Sequence, residues 1–162
     1  MERTVGTRGF RVIALPVEVA DEVRRTMVAP GYGHPAHAER ATGSGPCRVC
    51  LRTFAVKADR RILFTHDPFD GLERDPLPGP IYVHARPCRR YPETAGFPED
   101  LRSIPITLNG YGPGRTLLVQ ERVFATGAEE AIERILAKPE VGYVHVRNTD
   151  AGCYIARVER TD

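Results

Sequence analysis

Lysine is nearly absent from this chain: Lys57 and Lys138 are the only two among its 23 basic side chains. Codon bias accounts for such an imbalance, but it leaves almost every positive charge on a planar fork suited to bidentate pairing with oxyanions. A charge excess is missing as well. Basic residues outnumber acidic ones by only 23 to 21, too little for the footprint of a nucleic-acid binder. No apolar run is long enough to cross a bilayer; the best candidate, residues 12–20, is broken by Pro16 and Glu18. Behind Met1-Glu2-Arg3-Thr4 there is no apolar core of a secretion signal. The expected compartment is therefore the cytosol, without membrane attachment, where thiols stay reduced. Four cysteines in 162 residues then do not describe a disulfide framework. Internal repeats and low-complexity tracts are absent too. What remains, 41% apolar and 27% charged, is the composition of one globular domain with its own core.

Periodicity predicts more strands than helices. Residues 10–15 read as a strand. Pro16 opens a helix to about Val28, in which Val19, Val23 and Met27 recur every four positions. Its acids come early and its arginines late, as the helix dipole favours. Residues 30–46 hold four glycines and three prolines and read as a long loop. Residues 50–56, 61–65 and 81–85 read as extended, separated by a turn at 57–59 and a proline-rich loop at 67–80. Pro98 is placed to start a helical turn. A strand from Ile104 ends near Asn109-Gly110. Residues 115–125 form the clearest strand, with Leu117, Val119 and Val123 on one face and Gln120 and Arg122 on the other. Thr126-Gly127-Ala128-Glu129 reads as a capping box with Thr126 as N-cap. The helix behind it reaches Ala137 or Lys138 and carries Ala128, Ala131, Ile132, Ile135 and Leu136 on one face. Residues 141–147 and 153–159 make two last strands about a turn. Strands joined by short or irregular connections predict a single α+β domain over 1–162: an antiparallel or mixed sheet, two helices packed on it, and long Gly/Pro-rich loops.

The chemistry concentrates in two segments, Pro46-Cys47-Arg48-Val49-Cys50 and His84-Ala85-Arg86-Pro87-Cys88-Arg89-Arg90. Cys47 and Cys50 have the spacing by which a tight turn presents two sulfurs to zinc. Two second halves are on offer: His84 with Cys88, or His34 with His37, which would close a local site. A dithiol oxidoreductase needs its first cysteine at a helix N-terminus, whereas residues 51–54 look extended. A cysteine nucleophile is the third reading. Cys88 lies among Arg86, Arg89 and Arg90, whose charge favours thiolate, and His84 is placed to act as its base; Cys47 is the other candidate nucleophile. Cys153 reads as an inert buried thiol. The run Gly110-Tyr111-Gly112-Pro113-Gly114-Arg115 is a Gly-rich turn, or a nest offering amides and Arg115 to an anion. His145, opposite to its valine neighbours on a strand, reads as a surface residue. His66-Asp67 reads as turn chemistry or as an acid/base couple.

Several runs together resemble one family: Pro46-Cys47-Arg48-x-Cys50-Leu51, Gly79-Pro80-Ile81-Tyr82-Val83-His84-x-x-Pro87-Cys88, Leu108-Asn109-Gly110-Tyr111, Gln120-Glu121-Arg122-Val123, and Val144-His145-Val146-Arg147-Asn148 with Gly152-Cys153-Tyr154. From about Gly45 to Glu159 the chain is similar to the bacterial domain-of-unknown-function family number 1203. The resemblance implies a small cytosolic bacterial protein and carries no activity with it. It also implies relatives with another residue at the Cys50 position, which sets the metal reading second. The leading expectation is a pocket without a cofactor. In it Arg48 and Arg90, aided by Arg86 and Arg115, bind a small anionic molecule; for conversion, Cys88 or Cys47 would attack with His84 as base. The alternative is a zinc-stabilised structural or interaction module built on Cys47, Cys50, His84 and Cys88.

Overall fold

Alternating apolar residues in the second half of the chain build one sheet, and burying its apolar face decides where the rest goes. The computed structural model describes residues 9–161. In chain order these form β1 (Phe10–Ile13), α1 (Val17–Thr26), β2 (His37–Arg40), β3 (Arg60–His66), β4 (Gly79–His84), β5 (Ile106–Gly112), β6 (Thr116–Val123), α2 (Ala128–Leu136), β7 (Tyr143–Asn148) and β8 (Tyr154–Arg160). Two 3-10 turns lie at Glu99–Ser103 and Pro113–Arg115. Five strands pair in the order β1-β8-β7-β5-β6 and three in the order β2-β3-β4. Every pairing is antiparallel. The class is α+β, as expected, but with two sheets. Neither described helix is long and apolar enough to cross a membrane.

The larger core lies between α2 and the five-stranded sheet. Ala131, Ile132 and Ile135 of α2 pack with Leu108, Val144, Val146 and Val158. Burying each large aliphatic side chain contributes about 1.5–3 kcal/mol, so this layer anchors the fold. Gly110 lets the helix approach closely, since a Cβ there would lie 2.9 Å from Ile135 Cγ2. The expected capping box does not form. Gly127 is the N-cap, at φ 88°, with no side-chain cap bond. Glu129 turns instead to Arg102, whose Nη1 donates to it at 2.9 Å.

The smaller core joins α1, the three-stranded sheet and the cysteine turn. Ala20 and Val23 pack with Cys47, Val49, Phe54, Ile62, Ile81 and Val83, and Val19 and Met27 flank them, which realises the predicted stripe on α1. β2 lies inside the stretch expected to be loop. It is an edge strand of His-Ala-Glu-Arg paired to β3, and so carries no apolar alternation. Residues 50–56 form no strand; the Phe54 amide donates back to the Ser44 carbonyl, and just beyond them the Lys57 amide donates to Ala41. β5 continues to Gly112 beyond the expected stop, because it is a central strand paired on both sides.

Candidate metal centre

Residues 48–50 form a tight turn, closed by the Leu51 amide on the Cys47 carbonyl at 2.9 Å and by the Cys47 amide on that of Arg52 at 3.0 Å. The closure holds Leu51 at φ 59°, a conformation uncommon outside glycine. It aims the Cys50 amide at the Cys47 thiol and the Arg52 amide at the Cys50 thiol. Three segments grip the turn. The Arg48 amide donates to Tyr82 of β4 at 3.1 Å, the Leu15 amide to Arg48 at 2.9 Å and the Tyr91 amide to Val49 at 2.8 Å. His84 ends β4, and Cys88 follows after a bend, so one strand end delivers both.

The two segments meet. One ligand atom each from Cys47, Cys50, His84 and Cys88 lies within 4.8 Å of all the others. The Cys47 and Cys88 sulfurs are 3.8 Å apart, and His84 Nδ1 is 3.5 Å from the Cys50 sulfur. A partner fixes the other ring nitrogen: His84 Nε2 lies 3.2 Å from a carboxylate oxygen of Asp59, itself held by the Ala55 amide at 2.8 Å. The ring of Phe54 meets the imidazole edge-on at 4.8 Å. The His84 amide donates to the Cys47 sulfur at 3.3 Å, and Arg24 of α1 donates to the Cys88 sulfur at 3.4 Å and to the His84 carbonyl at 3.0 Å. These donors favour thiolate. Hydrogen bonds from Cys50 and Cys88 hold the Cys47 thiol far below its ordinary range, and the hydrogen bonds of Cys50 with Cys47 and Cys88, with its burial, push Cys50 far above its own. Contact with Cys47 and then Cys88 pushes His84 up to about 10. Such mutual perturbation marks sulfurs and an imidazole crowded around one point where positive charge is wanted. A cluster of this composition could hold a metal ion.

Three of the four arginines expected to hold an anion make other contacts. Arg48 is 1% exposed. Its guanidinium donates to Tyr154 O at 2.6 Å, Pro46 O at 2.5 Å and the Cys153 sulfur at 2.9 Å. Arg90 donates to the Ala14 and Leu15 carbonyls at 2.6 and 3.2 Å. Arg115 donates to Asp75 O at 2.8 Å and stacks on Phe69. Arg86 is exposed. These four do not surround one cavity: sequence supplies the charge, while the carbonyls that claim it appear only on folding. The Gly-rich run supplies the end of β5 and a hairpin turn. His34 bonds Thr65 and His37 faces Glu39, so no local Cys₂His₂ site forms. Cys153 is half-buried beside Arg48 and lines a cavity of about 180 Å³, which corrects its reading as a sealed thiol. Asp67 accepts the Phe69 and Leu77 amides, which is turn chemistry. Asp59 and Arg24 gave no signal in sequence; neither has a spacing relation to the cysteines.

His145 overturns another expectation: it is 0% exposed. Its face was read correctly, but Phe69 covers that face with its ring 4.5 Å away, and Tyr111, Tyr143 and Tyr154 complete the enclosure. Burial, helped by the charges of Arg147, Arg157 and His66, pushes this imidazole from 6.5 down to about 2. The unfolded chain therefore takes up a proton below about pH 6.5 that the folded protein refuses, and stability falls from there toward pH 2. Above pH 6.5 the group contributes no pH dependence. The full slope is about 1.4 kcal/mol per pH unit, and His66, lowered by its own burial, steepens it. Urea unfolding at about pH 7.5 and about pH 5.5 should show this loss, with His145→Asn reducing it; an unaltered slope in the variant contradicts the assignment.

Residues 44–160 match the family model described as "Protein of unknown function (DUF1203)". The chain belongs to the DUF1203 family. The DUF1203 segment contains all four members of the cluster together with Asp59, and leaves out α1 with Arg24. Neither the curated proteins nor the solved structures contain a match.

Proposed function

We propose that Cys47, Cys50, His84 and Cys88 hold one zinc ion, and that the chain is a zinc-stapled module whose ion joins the cysteine turn to the end of β4. The carrying observation is metric. Zinc with bonds of about 2.3 Å to sulfur and about 2.0–2.1 Å to nitrogen has tetrahedral edges of about 3.8 Å between sulfurs and about 3.5 Å between sulfur and nitrogen. The observed separations are 3.8 and 3.5 Å. The surroundings support the same reading. A carboxylate behind the imidazole fixes the ring and raises its basicity, and Asp59 stands there. Zinc with three thiolates and a neutral imidazole carries one net negative charge, which Arg24 beside Cys88 and buried Arg48 beside Cys47 offset. Four protein ligands leave no position for water, so the ion is structural and not a Lewis acid in a reaction.

Reconstitution with cobalt(II) tests this, because tetrahedral thiolate coordination gives visible bands and a thiolate charge-transfer band in the near ultraviolet. Both are expected at one cobalt per chain. Cys88→Ser should weaken the charge-transfer band, and Cys153→Ser should leave it unchanged. A spectrum of octahedral cobalt, or one indifferent to Cys88, contradicts the site.

A further inference from the structure

The face of the five-stranded sheet turned away from α2 is polar in register across three strands. Arg122 of β6 and Arg147 of β7 stand on either side of Thr107 of β5, and one row along Gln120 and His145 flank Asn109. Adjacent strands lie about 5 Å apart, so the two arginine backbones straddle Thr107 at about 10 Å. A groove of about 360 Å³ opens there, and no acidic residue lines it. Glu121, next to Arg122 in sequence, points to the other face and pairs with Arg134 at 2.5 Å.

Donors without partners are buried behind the groove wall. Arg147 gives Nη1 to the Gly152 carbonyl at 3.1 Å and Nη2 to His145 Nδ1 at 3.2 Å, but its Nε is buried with no partner. A guanidinium only donates, so His145 Nδ1 accepts and the ring proton sits on Nε2. That Nε2 is also buried without a partner, in a ring with no exposure. Arg122 is exposed and has no carboxylate partner among the described residues. Elsewhere Arg61 meets Glu39, Arg102 meets Glu129 and Arg11 meets Glu159. The neutral groups are already oriented: Gln120 donates to Asn109 at 3.0 Å, Asn109 donates to the Tyr111 hydroxyl at 3.2 Å, and Thr107 and Thr149 share a bond of 2.8 Å. A buried N–H without an acceptor costs free energy. Two forked cations lining a groove free of competing carboxylates describe a place for an oxyanion.

We propose that this groove binds a small oxyanionic molecule, its carboxylate or phosphate bridged by Arg122 and Arg147 above Thr107, and the rest of it hydrogen-bonded by Gln120 and Thr149. The proposal is independent of the zinc reading and moves anion recognition away from the cysteines. His145 is a positioning residue here: its uncharged Nδ1 holds the Arg147 guanidinium over the groove.

The test is a ¹H–¹⁵N titration of the intact chain as purified, its zinc content measured, with inorganic phosphate in one arm and succinate in the other. Saturable shifts are expected in at least one arm, largest at the Arg147 Nε–H and at the Thr107 and Thr149 amides; the responding arm identifies the oxyanion. Arg122→Gln changes an exposed side chain and should weaken that binding at least tenfold. Arg147→Lys keeps the charge, loses the fork and should weaken it as much. Zinc content, measured on each variant, should equal that of the parent chain, so that a failed metal site and a failed anion site are told apart. Saturation in neither arm, shifts centred elsewhere, or affinities unchanged in both variants would overturn the proposal.

Discussion

Removing the proposed zinc ion is expected to cost this protein the order of its three-stranded sheet. A structural zinc contributes about 10–16 kcal/mol of binding free energy in small zinc-folded peptides, against a stability of about 5–15 kcal/mol for a typical domain. Here the loss falls unevenly. The core between α2 and the five-stranded sheet contains none of the four ligands, whereas Cys47, Cys50 and Cys88 belong to the core of α1, β3 and β4. Without zinc, three sulfurs and an imidazole remain crowded together, with Arg48 buried beside them. Breaking a buried charged constellation costs about 3–5 kcal/mol. In a chain of this size that lowers Tm by roughly 6–20 °C. Cys47→Ser, or a strong chelator on the native chain, should produce that drop. Amide exchange should accelerate first across β3 and β4 and last across β5 and β7. Cys153→Ser should retain the ion and most of the stability. Equal thermal stability with and without chelator contradicts the assignment.

Arg48→Met is expected to be nearly as damaging, although Arg48 ligates nothing. Its guanidinium satisfies the Pro46 and Tyr154 carbonyls and meets the Cys153 sulfur. It thereby ties the cysteine turn to the start of β8, and so one sheet to the other. Methionine matches the volume but leaves two buried acceptors unpaired, each costing about 1–3 kcal/mol. It also removes one of the two cations that would offset the charge of the proposed zinc complex. A loss of about 3–5 kcal/mol is expected in denaturant unfolding. Arg48→Lys should recover little, because one ammonium cannot reach three divergent acceptors. Zinc should still bind to either variant, since all four ligands remain, but with weaker retention against chelator. A change below about 1 kcal/mol for Arg48→Met would reduce Arg48 to a filler of space.

The strongly patterned elements were legible in sequence because their burial is one-sided. The α2 stripe has one apolar face and one partner layer, and Val119 and Val123 of β6 pack on the same core. Leu117, expected on their face, lies beyond a register shift and is 47% exposed. β7 was legible only on its valine face, because Phe69 covers the other. β2 was not legible, because an exposed edge strand of His-Ala-Glu-Arg is held by main-chain pairing alone. Thr126 and Glu129 had the right spacing for a cap, yet Arg102 competes for the glutamate from a distant segment. At the site, spacing named the four members of the cluster but not their meeting, which depends on a turn gripped by Leu15, Tyr82 and Tyr91. The arginines misled for a related reason: charge is written in the chain, whereas burial and the reach of carbonyls are not. Arg147 and Arg122 were visible in the sequence runs, but only strand register shows that they flank Thr107.

The most direct measurement is the intact mass of the purified chain under native and then denaturing conditions, with zinc counted by elemental analysis of the same sample. One zinc per chain is predicted, lost on denaturation, and abolished by Cys47→Ser but not by Cys153→Ser. A native mass equal to that of the bare polypeptide, in protein never exposed to chelator and with all four thiols reduced, would contradict it.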